Sequence, residues 1–122
     1  MKRILLIEDD IYQITYLRII FRDYLPTIQL IAVETWEDAL VKLSSEHFDL
    51  IILDMNLPDA EGLDVIAQIN SANKIPILVL TGSIDENLER QARILDVSDF
   101  VTKDVSTHSF ISLIKSTLID YK

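Results

Sequence analysis

Ile4-Leu5-Leu6-Ile7 runs directly into Glu8-Asp9-Asp10, Leu50-Ile51-Ile52-Leu53 into Asp54, and Ile77-Leu78-Val79-Leu80 into Thr81. Uninterrupted apolar runs of this length, stopped by polar residues, fit strands buried on both faces, as in a parallel sheet. If the three runs are neighbours, their ends converge on one edge of that sheet. Glu8, Asp9 and Asp54 then crowd together, with little to neutralise them except a metal cation and a nearby lysine.

The flanking sequence supports that arrangement. Strands β1–β5 are predicted near residues 3–8, 28–33, 49–54, 76–81 and 98–102, and helices α1–α5 near 10–24, 36–46, 61–71, 84–95 and 106–121. Thr35 with Asp38, and Ser83 with Glu86, read as helix N-caps followed by an acid, the second pair as a capping box. Asp104 or Ser106 is the candidate cap of the last helix. Regular strand–helix alternation with right-handed crossovers gives an α/β, doubly wound, three-layer fold. No repeat, low-complexity segment or linker interrupts it, so residues 1–122 read as a single domain.

Composition narrows the function classes. The chain is 49% hydrophobic and 25% charged, ordinary for a soluble globular protein with one sizeable core. A net charge of −9 argues against nucleic acid as a direct ligand, because phosphate neutralisation needs a basic face. No apolar stretch approaches a membrane span, and the N-terminus leads straight into a strand instead of a signal peptide. Cysteine is absent, which excludes disulfides and thiolate metal sites and is compatible with a reducing cytoplasm.

In an open α/β sheet the ligand site lies beyond the carboxyl ends of the strands, at the switch in strand order. Glu8 and Asp9 are consecutive where the chain turns, so both can face one crevice, and Asp54 completes a cluster of hard oxygen donors. Such a set suits Mg²⁺, which takes one or two carboxylates and keeps several waters. Without histidine or cysteine ligands, zinc is disfavoured. The metal would leave Asp54 free as a nucleophile able to accept a phosphoryl group. That transfer needs mostly positioning and charge stabilisation, for which Thr81 offers a hydroxyl and Lys103 an ammonium that pairs first with Asp54. Asp10 reads as a cap of the first helix. His47 and His108 follow no metal spacing and read as surface residues, and Trp36 has no assigned role.

Four segments resemble the signatures of receiver domains from two-component response regulators: Ile4-Leu5-Leu6-Ile7-Glu8-Asp9-Asp10, Leu53-Asp54-Met55-Asn56-Leu57-Pro58-Asp59-Ala60-Glu61-Gly62, Pro76-Ile77-Leu78-Val79-Leu80-Thr81-Gly82 and Asp99-Phe100-Val101-Thr102-Lys103. The resemblance covers essentially the whole chain, in the right order and at the right spacing. It implies a flavodoxin-like five-stranded parallel sheet of order 2-1-3-4-5. By it, Glu8 and Asp9 are the acidic pair, Asp54 the phosphoacceptor, and the Asn56 backbone carbonyl a further Mg²⁺ ligand. Thr81 and Lys103 would contact the phosphoryl oxygens. Phe100 would be the switch aromatic, rotating inward as Thr81 moves toward the phosphoryl group. The implied partners are a sensor histidine kinase or phosphotransfer protein as donor, and an output partner or fused effector domain on the α4–β5–α5 face. The implied protein is a cytoplasmic signalling switch that catalyses only its own phosphorylation and dephosphorylation, with Asn56 and Ser83 flanking the path of the attacking water.

Two positions depart from the family pattern. Asp104 follows Lys103 where the family usually has proline, often after a cis bond; a non-proline cis bond costs about 2.5–4 kcal/mol, so a trans bond is expected. Asp96-Val97 replaces the common Gly-Ala, and aspartate tolerates the left-handed turn conformation better than most residues. Two other classes stay open. A dehalogenase-like phosphohydrolase would want a second aspartate where Asn56 stands, and a degenerate receiver would serve only as a binding module.

Overall fold

A computed structural model describes residues 1–72, 74–83 and 85–118. Five strands, β1 (Arg3–Ile7), β2 (Gln29–Val33), β3 (Leu50–Leu53), β4 (Ile77–Thr81) and β5 (Asp99–Thr102), alternate with five helices, α1 (Ile11–Tyr24), α2 (Trp36–Ser45), α3 (Gly62–Ala72), α4 (Glu86–Ile94) and α5 (Thr107–Thr117). The strands form one parallel sheet in the order β2-β1-β3-β4-β5. The chain switches direction across the sheet between β1 and β3, where a crevice opens at the strand ends.

Alternation along the strands builds two cores. Leu5, Ile7, Ile51, Leu53, Ile77 and Val79 pack against Trp36, Ala39, Val65, Ile66, Ile69 and Ala92 of α2, α3 and α4. Ile4, Leu6, Leu50, Ile52, Leu78 and Leu80 face Ile14, Leu17, Ile20, Phe21, Phe110 and Ile114 of α1 and α5. The central strands thus bury both faces, which is why their sequences are unbroken apolar runs. Phe21 and Phe110 meet edge to face, with centroids 6.5 Å apart, and join α1 to α5.

Helix ends fix the strand-end loops. Asp10 caps α1 through Tyr12 N–H, Thr35 caps α2 through Asp38 N–H, and Ser106 caps α5 through Ser109 N–H. The capping box expected at Ser83 and Glu86 is not formed: Asp85 is the cap of α4, one carboxylate oxygen accepting from both Asn87 and Leu88 N–H. A carboxylate two residues nearer the helix competes better than the Ser83 hydroxyl for those amides. Residue 84, the expected first residue of α4, and residues 119–121, the expected end of α5, lie outside the described residues. At the far end of α4, Asp96 adopts φ 67°, the left-handed turn expected of it. Among the described residues no helix is long and apolar enough to cross a membrane.

Candidate functional site

Parallel register places the site. Ile7 pairs with Leu53, so Glu8 and Asp54 leave neighbouring strands at the same level, and Asp54 N–H still donates to Ile7 C=O at 3.0 Å. The chain turns immediately after β1, bringing Asp9 to the same crevice. One carboxylate oxygen from each of Glu8, Asp9 and Asp54 lies within 4.8 Å of the others. Glu8 and Asp54 are almost fully buried, at 1% and 4% exposure, while Asp9 opens to solvent.

Lys103 closes the cluster from β5. Its N–H donates to Thr81 C=O at 2.7 Å, extending the β4–β5 ladder by one residue. Its ammonium lies 2.7 Å from Glu8 and 3.6 Å from Asp54. Sequence reasoning expected Asp54 as the first partner; the closer one is Glu8. Burial opposes the charge on Lys103, but Glu8 and Asp54 together hold its pKa above the usual value. Burial, followed by the adjoining Asp54 carboxyl, pushes Glu8 up to about 7 in spite of the lysine.

The other expected residues surround this core. Asp54 Oδ1 accepts from Asn56 N–H at 3.2 Å, and an isolated bridge from Asn56 to Glu61 folds the β3–α3 loop beside the acids. Thr81 is buried at the end of β4, and its hydroxyl makes no hydrogen bond to the described residues. Phe100 is buried, at 6% exposure, in the core shared with α2–α4. Asp10 is exposed and serves as the α1 cap. His47 and His108 are exposed and stand outside the acidic cluster, His47 bonding Asp49 at 3.1 Å.

A groove of about 400 Å³ runs from Asp9 along the β3–α3 loop to Leu88. A second cavity, about 440 Å³, opens at the other end of the sheet beside Asn70, Lys74 and Leu95, with no acidic cluster among the described residues. One contact escaped sequence reasoning. Asp59, in the loop after Asp54, accepts from Trp36 and Glu37 N–H at 2.8 and 3.0 Å and ties that loop to the start of α2. Two free amides at a helix start and an acid in a nearby loop were its only signal, and the 23 residues between Trp36 and Asp59 hid it.

Residues 4–115 match the response regulator receiver domain family. The chain belongs to that family. This receiver domain is 28% identical over 120 residues to YclJ, an uncharacterised transcriptional regulatory protein of Bacillus subtilis, covering 98% of this chain and 52% of YclJ. It thus spans about half the length of the curated relatives it matches. Its fold superposes on a two-component response regulator of Clostridium difficile with a TM-score of 0.91 at 22% identity, covering 98% of each chain. A cyanobacterial phytochrome response regulator, RcpA, described as phosphorylated, gives a TM-score of 0.82 at 27% identity, covering 98% of this chain and 94% of the other.

The receiver crevice suits a small hard cation. Its donors are carboxylate oxygens converging from two strand ends, one edge is open to solvent, and no histidine joins the group among the described residues.

Proposed function

We propose that this receiver domain is a phosphorylation switch in which Asp54 accepts a phosphoryl group from a phosphohistidine of a sensor kinase or phosphotransfer protein. The observation that carries this reading is a buried nucleophilic carboxylate beside the Lys103 ammonium and two further acids. A carboxylate oxygen of Asp54 forms the new O–P bond as the N–P bond of the donor breaks. The electron pair of the broken bond stays on the imidazole nitrogen, which regains neutrality or takes a proton from solvent. Glu8, Asp9, Asp54 and the Asn56 backbone carbonyl would hold Mg²⁺. The bound ion would offset negative charge on the phosphoryl oxygens.

The chain's own residues supply the rest. Lys103 exchanges part of its pairing with Glu8 for the phosphoryl oxygens, and Thr81 turns its unused hydroxyl to a second oxygen. The phosphoryl group adds about 1.5–2 negative charges. Phosphorylation then stabilises a state already accessible, with Phe100 buried, instead of driving the ring inward. Output runs through α4, β5 and α5, where Ile94 is 76% exposed, to a partner or effector domain. Catalysis extends only to the domain's own phosphorylation and dephosphorylation, with Asn56 and Ser83 beside the water's path. The domain carries a charge of −9 and has no direct role with nucleic acid.

Intact-mass measurement after acetyl phosphate and Mg²⁺ separates the classes. A single adduct that decays slowly is expected. Continuous phosphate release with no adduct would point to a hydrolase, and neither adduct nor release to a binding module.

A further inference from the structure

Asp104 brings a carboxylate to the residue next to Lys103, yet the two side chains form no ion pair. The local geometry explains this. Val105 N–H returns to Thr102 C=O at 3.1 Å, making residues 102–105 a hydrogen-bonded β-turn. Neither Lys103 nor Asp104 has positive φ, and the peptide bonds of the turn are trans, which leaves a type I turn. Aspartate fits the third position of such a turn, whereas proline there would force Lys103 out of the helical region. Within the turn, Thr102 Oγ1 donates to Asp104 Oδ1.

The two tethers lie on different sides of the sheet. Lys103 lines a narrow cleft with Leu17, Leu80 and Phe110, between α1 and α5. Thr102 pairs in register with Thr81, on the side that carries Phe100 and Val79 toward α4. An acid released from Thr102 would be free to swing toward the crevice, where Lys103 is, among the described residues, the cation paired with Glu8 and Asp54.

We infer that Thr102 is a positioning residue: its hydroxyl holds the Asp104 carboxylate away from the crevice and reserves the Lys103 ammonium for Glu8, Asp54 and the phosphoryl group. The consequence for phosphorylation rests on the function proposed above; the pairing of Lys103 does not. Valine is a close steric match for Thr102 and keeps the strand preference while deleting the hydroxyl. Thr102→Val should slow labelling by acetyl phosphate about fivefold or more, as expected when one charge near a reacting anion changes place. Thr102→Ser, which keeps the donor, should label at the wild-type rate, as should Asp104→Asn. The double variant Thr102→Val/Asp104→Asn should recover that rate, because no stray charge remains.

Backbone amide NMR without any phosphodonor gives the second readout. The Glu8 and Asp54 signals should shift in Thr102→Val and return in the double variant. An unchanged rate and unchanged shifts in Thr102→Val would overturn the inference. So would a loss that the double variant fails to restore, since Thr102 would then act through packing alone. If wild type takes no label while the shifts follow the stated pattern, the positioning role stands and the phosphorylation reading fails.

Discussion

Glu8 has a raised pKa because it is buried and faces the Asp54 carboxyl, an effect that the Lys103 ammonium opposes. With its pKa raised to about 7 from an ordinary 4.5, the folded state holds this proton more tightly than the unfolded chain. Its contribution to stability is therefore complete below about pH 4.5 and is lost as pH rises through 7. In metal-free protein, Glu8→Gln should raise the melting temperature at pH 8 more than at pH 5, the gap corresponding to a few kcal/mol at most. Equal effects at both pH values would contradict a buried, proton-holding Glu8. The same proton competes with a cation, so Mg²⁺ affinity measured by calorimetry should increase between pH 6 and pH 8. A flat profile would mean that Glu8 is not among the ligands.

The loops and helix ends carry constraints that can be tested one at a time. A Cβ added at Gly62 would lie 2.5 Å from Met55 Sδ and 3.0 Å from Met55 Cα. The side chain can yield but the backbone cannot, so Gly62→Ala should cost about 1–3 kcal/mol in urea unfolding. It should also slow labelling at Asp54, since Met55 adjoins that residue. At the end of α4, Asp96 holds φ 67° without glycine's freedom. Asp96→Gly should stabilise the fold by about 0.5–1 kcal/mol, the relief of strain exceeding the entropy gained by the unfolded chain. A stability loss in that variant would show that the aspartate side chain matters more than its backbone. Asp59 sets a third constraint. The Trp36 and Glu37 amides hold its carboxyl below the usual carboxylate range, so its contribution is present at neutral pH and lost as pH falls through that lowered value. Asp59→Asn should therefore flatten the acid limb of the stability profile.

Across the molecule, sequence was most readable where a residue's role depends on its immediate neighbours. β1, β3 and β4 were legible because strands buried on both faces must be apolar throughout, and their polar stops mark the edge where Glu8, Asp9 and Asp54 gather. Asp10, Thr35 and Ser106 were legible as caps because the capped amides are two or three residues away. Ser83 misled because two good caps compete within three residues and only the start of the helix decides between them. The clamp from Asp59 to α2, the preference of Lys103 for Glu8 and the inward Phe100 depend on distances between separate strands and loops. No local pattern encodes those distances, and the resemblance to receivers supplied the roles without the pairings.

The phosphoacceptor role proposed for Asp54 is tested most directly by mapping the label. Wild type and Asp54→Asn are incubated with acetyl phosphate and Mg²⁺, then digested and sequenced by mass spectrometry. The expected result is one phosphoryl group on the peptide containing Asp54 in wild type and none anywhere in Asp54→Asn. Full labelling of Asp54→Asn, at any residue, would contradict it.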